Sequence, residues 1–381
     1  MARPQSPVSN RIQAERHSCR HRWTWDGTQE ASMKLFQIDP TQDTRWKQFL
    51  ESNSSASIFH STGWLAALRC TYGYSPVVFT TSPPDRELKN AIVCCEISSW
   101  LTGRRLVSLP FSDHCEPLFS STEDLSFLIQ SLKAQLIDQG WKYLEVRPII
   151  CNLGELNEAT RFTPARKYFL HLLDLSGNSD ELFAQLDRDS VQRRVRHAER
   201  VGLTGISGSS EQLLAEFYNL FVTTRGRHRV PPMPYSWFQN LIKNLQEALE
   251  IQVAYLENRP VAAILTLRFK DVLYYKYGCS DVRFNNLGAM PWLLWKAILK
   301  AKNSGATQFD MGRTEADNPG LLTFKNRWVP HPTQLVYWRY PHASSFDSID
   351  SWELKFAKRV FSRMPASMLT LAGRLIYRHI G

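Results

Sequence analysis

Residues with special chemistry are scarce in this chain and scattered where they occur. The seven cysteines (Cys19, Cys70, Cys94, Cys95, Cys115, Cys151, Cys279) are odd in number and form no Cys-x-x-Cys or Cys/His ligand spacing. That sets aside a disulfide framework and a zinc site, and points to reduced, buried thiols and no bound metal. No run of about 18 apolar residues is present to span a bilayer. The arginine-bearing N-terminus has no apolar core of a secretory signal. Repeats and low-complexity tracts are lacking too, which leaves a globular protein with the cytoplasm as its expected compartment.

What is present is ordinary in amount and uneven in place. At 381 residues the chain has room for two domains, and twelve tryptophans supply large core anchors. The net charge is +10, but residues 351–381 hold six Lys/Arg against one acid and residues 1–32 hold five against three. A mildly basic body with basic ends argues against DNA and for an anionic surface such as a membrane. Residues 1–32 show no apolar period and read as a disordered basic tail. Lys34-Leu35-Phe36-Gln37-Ile38 is the first strand-like run, so Met33 is an alternative natural start.

Two α/β units follow, 33–165 and 166–345. In the first, Ala91–Ile97, Arg105–Leu109 and Tyr143–Arg147 are strand-like, and Leu125, Leu128, Ile129, Leu132 and Leu136 mark a helix ended by Gly140. Pro110-Phe111-Ser112-Asp113-His114-Cys115-Glu116-Pro117 is a polar loop after a strand, either pocket lining or plain connection. In the second, Tyr168–Leu175 is a strand and Asp180 a candidate helix cap. Arg188, Arg193, Arg194, Arg196 and Arg200 cluster on a helix, as a solvated face or as a phosphate holder. Ile251–Leu256, Pro260–Phe269 and Val272–Tyr277 are three strands joined by hairpin-tight steps. The stretch Phe309-Asp310-Met311-Gly312 then reads as a short strand broken at Gly312, and Asn318-Pro319-Gly320 opens a helix carrying Phe324, Lys325 and Trp328. Residues 346–381 form a basic tail. Within it, Trp352, Phe356 and Val360 follow helical spacing, as do Leu371 and Leu375, with basic residues between them. Such helices either lie in a membrane interface or pack on their own domain.

Strand hairpins, a loop into a helix, then another strand is the order of the GNAT acetyltransferase core. Four runs narrow the resemblance. Gln192–Gly202 resembles the basic helix of Fem-type aminoacyltransferases, and Phe217-Tyr218 with Thr224 and Arg225 resembles their next helix. Tyr275-Lys276-Tyr277-Gly278-Cys279-Ser280 is similar to their Tyr-x-Tyr-Gly-x-Ser strand. Asp310-x-Gly312 with Gly320-Leu321-x-x-Phe324-Lys325 resembles their Asp-x-Gly…Gly-Leu-x-x-Phe-Lys signature. The variant Gly312-Arg313-Thr314 and the tail resemble the Fem-like branch associated with exopolysaccharide and exosortase systems.

The resemblance implies an α/β (α+β) fold of two tandem GNAT-like domains, each a mixed, mainly antiparallel sheet flanked by helices. It implies N-acyl transfer from acyl-CoA or aminoacyl-tRNA to an amine on an envelope glycan, exopolysaccharide or peptidoglycan precursor. The precursor is free or lipid-linked, and the enzyme is peripheral to the inner face of the plasma membrane. Lys325, Tyr277 and Asp310 are the expected catalytic residues. Arg194, Arg225, Arg313, Asn318 and Gly320 are expected to bind substrate, and Asn286, Leu287, Gly288 and Ala289 the donor's phosphates. The rival reading is a non-catalytic GNAT-fold protein that recruits polysaccharide machinery.

Overall fold

The computed structural model describes residues 33–100, 103–151, 153, 161–341, 368, 372–373 and 376–379. The tail expected at 1–32 and most of 346–381 lie outside them. Leu35–Gly381 is one compact unit.

That unit is organised on a twelve-stranded sheet. Its first strands are β1 (Phe36–Ile38), β2 (Ser75–Thr80), β3 (Ile92–Ser99), β4 (Gly103–Val107), β5 (Leu144–Val146) and β6 (Thr163–Asp174). The second set is β7 (Thr204–Gly208), β8 (Leu249–Leu256), β9 (Arg259–Phe269), β10 (Val272–Ser280), β11 (Gln308–Glu315) and β12 (Thr333–Tyr340). The order across the sheet is β1-β2-β3-β4-β5-β12-β6-β11-β10-β9-β8-β7. Each set runs strand, two helices, three antiparallel strands, helix, parallel strand, final strand. The final strands are exchanged: β12 pairs with β5 of the first set, and β6 with β11 of the second. They also pair with each other along Thr163–Leu170, so the boundary expected near residue 165 falls inside β6.

The sequence explains the elements. β9 reads Val261–Leu267 as an unbroken buried run because helices cover both of its faces. Glu257 and Asn258 both take positive φ, the conformation a two-residue hairpin of right-handed twist requires. Serine caps begin three helices: Ser61 accepts from Trp64 N, Ser121 from Asp124 N and Ser210 from Leu213 N. At Ser179–Gln185 the cap is Asn178, whose side chain accepts from the Asp180 N–H. Asp180 instead sits in the first turn, two residues too late to cap.

Packing makes the two sets one body. On one face, helices Arg45–Ser52, Thr62–Tyr72, Glu211–Arg227 and Tyr235–Leu245 share a single core that includes Trp46, Trp64, Phe217 and Trp237. Gly63 lies so close to Asn244 O that a Cβ there would come within 2.4 Å of it. That approach lets Trp64 and Trp237 meet edge-on, 5.3 Å apart. On the other face, helix Thr122–Asp138 packs on the first set and helix Ala289–Asn303 on the second, in separate cores.

Candidate active site

The site forms where the sheet comes apart. β10 and β11 pair in parallel from Val272↔Gln308 to Tyr274↔Asp310; both strands then continue unpaired with each other. β10 is irregular between Tyr275 and Tyr277 and β11 between Asp310 and Arg313. The expected break at Gly312 is therefore a bulge inside a strand that runs on to Glu315. Gly312 has φ +71, a left-handed conformation in which a glycine is at ease. A Cβ on it would come 3.2 Å from the Asp113 carboxylate.

Asp113 belongs to the polar loop after β4, and that loop bridges the separated strands. Leu109 and Phe111 turn it through positive φ, and Ser112 Oγ donates to Leu109 O. Lys276 of β10 donates to Asp113 Oδ2 at 2.7 Å and to Phe111 O at 2.8 Å. His114 Nε2 meets Asp310 Oδ2 of β11 at 2.8 Å, and Asp310 Oδ1 accepts from the Gly312 N–H. Tyr337 of β12 donates to Asp113 O at 2.6 Å, and Arg313 donates to the Tyr337 hydroxyl at 3.0 Å. The Arg313 guanidinium lies over the Tyr168 ring at 4.4 Å.

Lys325 closes this cluster from below. Helix Pro319–Asn326 starts on Asn318, whose side chain accepts from Leu321 N, with proline in the first turn. At its other end, Asn326 Oδ1 meets Nε2 of the buried His171, which lies opposite the β11 bulge. So held, Lys325 is 3 % exposed and donates to Gly312 O at 2.9 Å and Arg313 O at 3.0 Å. Burial pushes its pKa down to about 8, against the opposing pull of Asp113 and Asp310. Burial likewise lowers Lys276, with Asp113 resisting. For Asp113 burial acts upward, but Lys276 and Arg313 outweigh it and hold the carboxyl below its ordinary value. The result is a water-poor site with three cations and two carboxylates, near-neutral in sum and tightly bonded.

The structure brings Lys325, Asp310 and Arg313 together and leaves the other expected residues elsewhere. The Tyr277 hydroxyl accepts from Trp237 Nε1 at 2.9 Å and lies 3.2 Å from Met233 Sδ, within the aromatic core. Arg225 donates to Pro231 O and to the Tyr377 hydroxyl. Arg194 donates to Asn285 O, Asn318 is a helix cap, and Gly320 is exposed beside it. Gly288, with φ +78, precedes helix Ala289–Asn303; Asn286 and Leu287 form the turn before it. A Cβ on Gly288 would come 2.4 Å from Arg194 O, so this glycine admits the neighbouring helix Arg193–Arg200. Asp113, His114, Lys276 and Tyr337 were not anticipated. The signals for the first three were a polar run after a strand and a lysine between two tyrosines on a strand. Among the described residues no His/Cys/Asp/Glu group is arranged to hold a metal. No described helix is long and apolar enough to cross a membrane.

Residues 187–325 match the family of the acetyltransferase (GNAT) domain. The fold is similar to that of FemX, with a TM-score of 0.63 at 14 % identity over 83 % of this chain and 99 % of that one. It is similar as well to L-PGS from Bacillus licheniformis, with a TM-score of 0.55 at 16 % identity over 86 % and 98 %. The C-terminal domain of a putative lysylphosphatidylglycerol synthetase from Agrobacterium fabrum gives 0.54 at 14 % identity over 83 % and 96 %. No curated protein matches the sequence. The parallel pair that splays beside a buried lysine lies within the span that matches the GNAT acetyltransferase domain. The expected mixed, mainly antiparallel sheet flanked by helices is the one observed, and it is the fold that FemX shares.

Proposed function

We propose that the protein transfers an acyl or aminoacyl group to an amine on an envelope glycan, exopolysaccharide or peptidoglycan precursor. The donor is an acyl-CoA or an aminoacyl-tRNA. The observation that carries this reading is the Lys325 ammonium, buried on the bulge carbonyls at the open end of the β10–β11 pair. In the reaction the acceptor nitrogen bonds to the donor carbonyl carbon, the carbonyl oxygen takes up negative charge, and the donor's thiolate or ribose oxygen leaves. The amine's proton passes to the leaving group or solvent. Lysine has three N–H donors, and Gly312 and Arg313 carbonyls engage two. The third meets the developing oxyanion in a site of low dielectric, where one such donor is worth about 3–4 kcal/mol. Asp113, kept ionised by Lys276 and Arg313, is too weak a base to deprotonate an amine at neutral pH. It positions the two cations instead.

The envelope acceptor is supported by the fold-level likeness to FemX and to a putative lysylphosphatidylglycerol synthetase, and by the basic tail in the sequence. The test is product analysis by mass spectrometry, with acetyl-CoA, longer acyl-CoAs and aminoacyl-tRNA offered against amino-sugar acceptors. Transfer from one donor class, lost in Lys325→Ala, supports the reading. Gly288 packed under Arg194 favours the rival, a binding protein without turnover, because a phosphate has less room at that helix start. Calorimetry separates the two: if every donor fails to bind and a glycan binds, the rival stands.

A further inference from the structure

The loop after β4 is fastened on both sides of His114. Following it, the Cys115 N–H donates to Arg147 O at 2.7 Å. The Glu116 carboxylate accepts from the N–H groups of Ile149, Ile150 and Cys151 at 2.5, 3.0 and 2.8 Å. Preceding it, Asp113 is held by Lys276 and Tyr337. The His114 ring stands edge-to-face with Phe59, centroids 5.1 Å apart, and is 4 % exposed. A side chain fixed this firmly loses little freedom when it acts on a substrate.

Its two ring nitrogens differ. Nε2 lies 2.8 Å from Asp310 Oδ2, and an ionised carboxylate can only accept, so Nε2 carries the hydrogen. Nδ1 is left with the lone pair, and it has no hydrogen-bond partner among the described residues. The other Asp310 oxygen, Oδ1, accepts from the Gly312 N–H at 2.6 Å, and Gly312 O accepts from Lys325 Nζ at 2.9 Å. One line of bonds therefore joins His114, Asp310, Gly312 and Lys325. It ends in an unused acceptor at His114 and, among the described residues, an unused N–H at Lys325. The line lies where β10 and β11 part, just past Tyr274↔Asp310. An amine that adds to a carbonyl needs both ends: an acceptor for the proton it loses and a donor for the oxygen that gains charge.

We infer that His114 is the general base of the acyl transfer and that Asp310 positions it. As the acceptor nitrogen bonds to the donor carbonyl carbon, its N–H bond breaks and the proton goes to His114 Nδ1. The carbonyl electron pair moves to the oxygen, which Lys325 meets. When the carbonyl re-forms, the bond to the donor's sulfur or ribose oxygen breaks, and that atom takes the proton from the imidazolium. Asp310 keeps the ring in the tautomer that leaves Nδ1 bare and stabilises the imidazolium while it lasts. The plainer role, satisfying the buried Asp310 carboxylate, could be filled by any side chain with an N–H in reach. The inference rests on the acyltransferase reading for the reaction, but the state of the ring is tested without turnover.

The experiment compares the full-length wild type with His114→Gln, using the donor that yields amide product. Glutamine keeps an N–H for Asp310 but cannot take up a proton. The variant's kcat is expected to fall about 10²–10⁴-fold, with the acceptor KM little changed and the circular dichroism that of the wild type. Turnover by the folded variant equal to that of the wild type overturns the base and leaves His114 a structural partner of Asp310. If His114→Gln does not fold, His114→Ala takes its place: free imidazole should restore part of its turnover, and no recovery overturns the base. Nitrogen NMR of histidine-labelled wild type, with the His114 signals identified by their loss in the variant, needs no turnover. A neutral ring with its hydrogen on Nε2 is expected, and a hydrogen on Nδ1 overturns the assignment. Absence of amide product from every donor counts against the proposed reaction and leaves the NMR result to judge His114.

Discussion

In the proposed reaction Lys325 is the residue on which the chemistry turns, and its burial makes its behaviour specific. If its ammonium meets the oxyanion, Lys325→Ala should lower kcat by about 10²–10³-fold while circular dichroism stays that of the wild type. Its pKa of about 8, against an ordinary 10.5, sets two pH dependences. Turnover should fall as pH rises through about 8, as the ammonium is lost, and Lys325→Met should abolish that limb with the activity. For stability the sign is opposite. Between about 8 and 10.5 the unfolded chain holds a proton at this lysine that the folded chain does not, so this group makes stability rise with pH there. Lys325→Met should flatten that rise in urea denaturation measured across the window. The Phe324-Lys325 pair was legible in the sequence because it lies on a contiguous signature. Asp113 and His114 were not: His114 finds Asp310 across 196 residues, and no local spacing encodes a pairing made by two separated strands and a loop.

Among elements, the bulged β11 and its loop partner hold the site together. Gly312→Ala should cost about 1–3 kcal/mol, from the left-handed backbone and from the push on Asp113, read as a shift in denaturation midpoint. The Lys276–Asp113 pair is buried, so removing either partner alone strands a charge and should destabilise by about 3–5 kcal/mol. The double variant Lys276→Met with Asp113→Leu should lose clearly less than the sum of the two singles in a double-mutant cycle. Most strands could be read from alternation, and the β8–β9 hairpin from its tight polar step. Two were not. β2 carries Pro76, tolerable there because β1 pairs only with Val78–Thr80 and leaves Pro76 beyond its end. β7, Thr-Gly-Ile-Ser-Gly, is an edge strand with almost no buried side chain and so no apolar period. The break expected at Gly312 is absent for a related reason: a single left-handed glycine accommodates the extra residue without ending the strand, and the turn comes only at 316–317.

For the molecule as a whole, the exchange of β6 and β12 and the pooled helical core tie the two strand sets into one cooperative body. Calorimetry of the full chain should give one unfolding transition, and a chain cut after residue 165 should fail to fold, because it ends inside β6 and lacks β12. Two separate transitions would mean that the sets are independent domains. Two α/β units were visible in the sequence, but the exchanged strands were not, since strand order is a property of pairing rather than of pattern. The central claim remains that this body builds an acyl-transfer site around Lys325. The most direct test is the donor screen run side by side on the wild type and Lys325→Ala, with products read by mass spectrometry. Amide formation from acyl-CoA or aminoacyl-tRNA by the wild type, lost in the variant while both remain folded, is the result expected. Equal transfer by both proteins would contradict it.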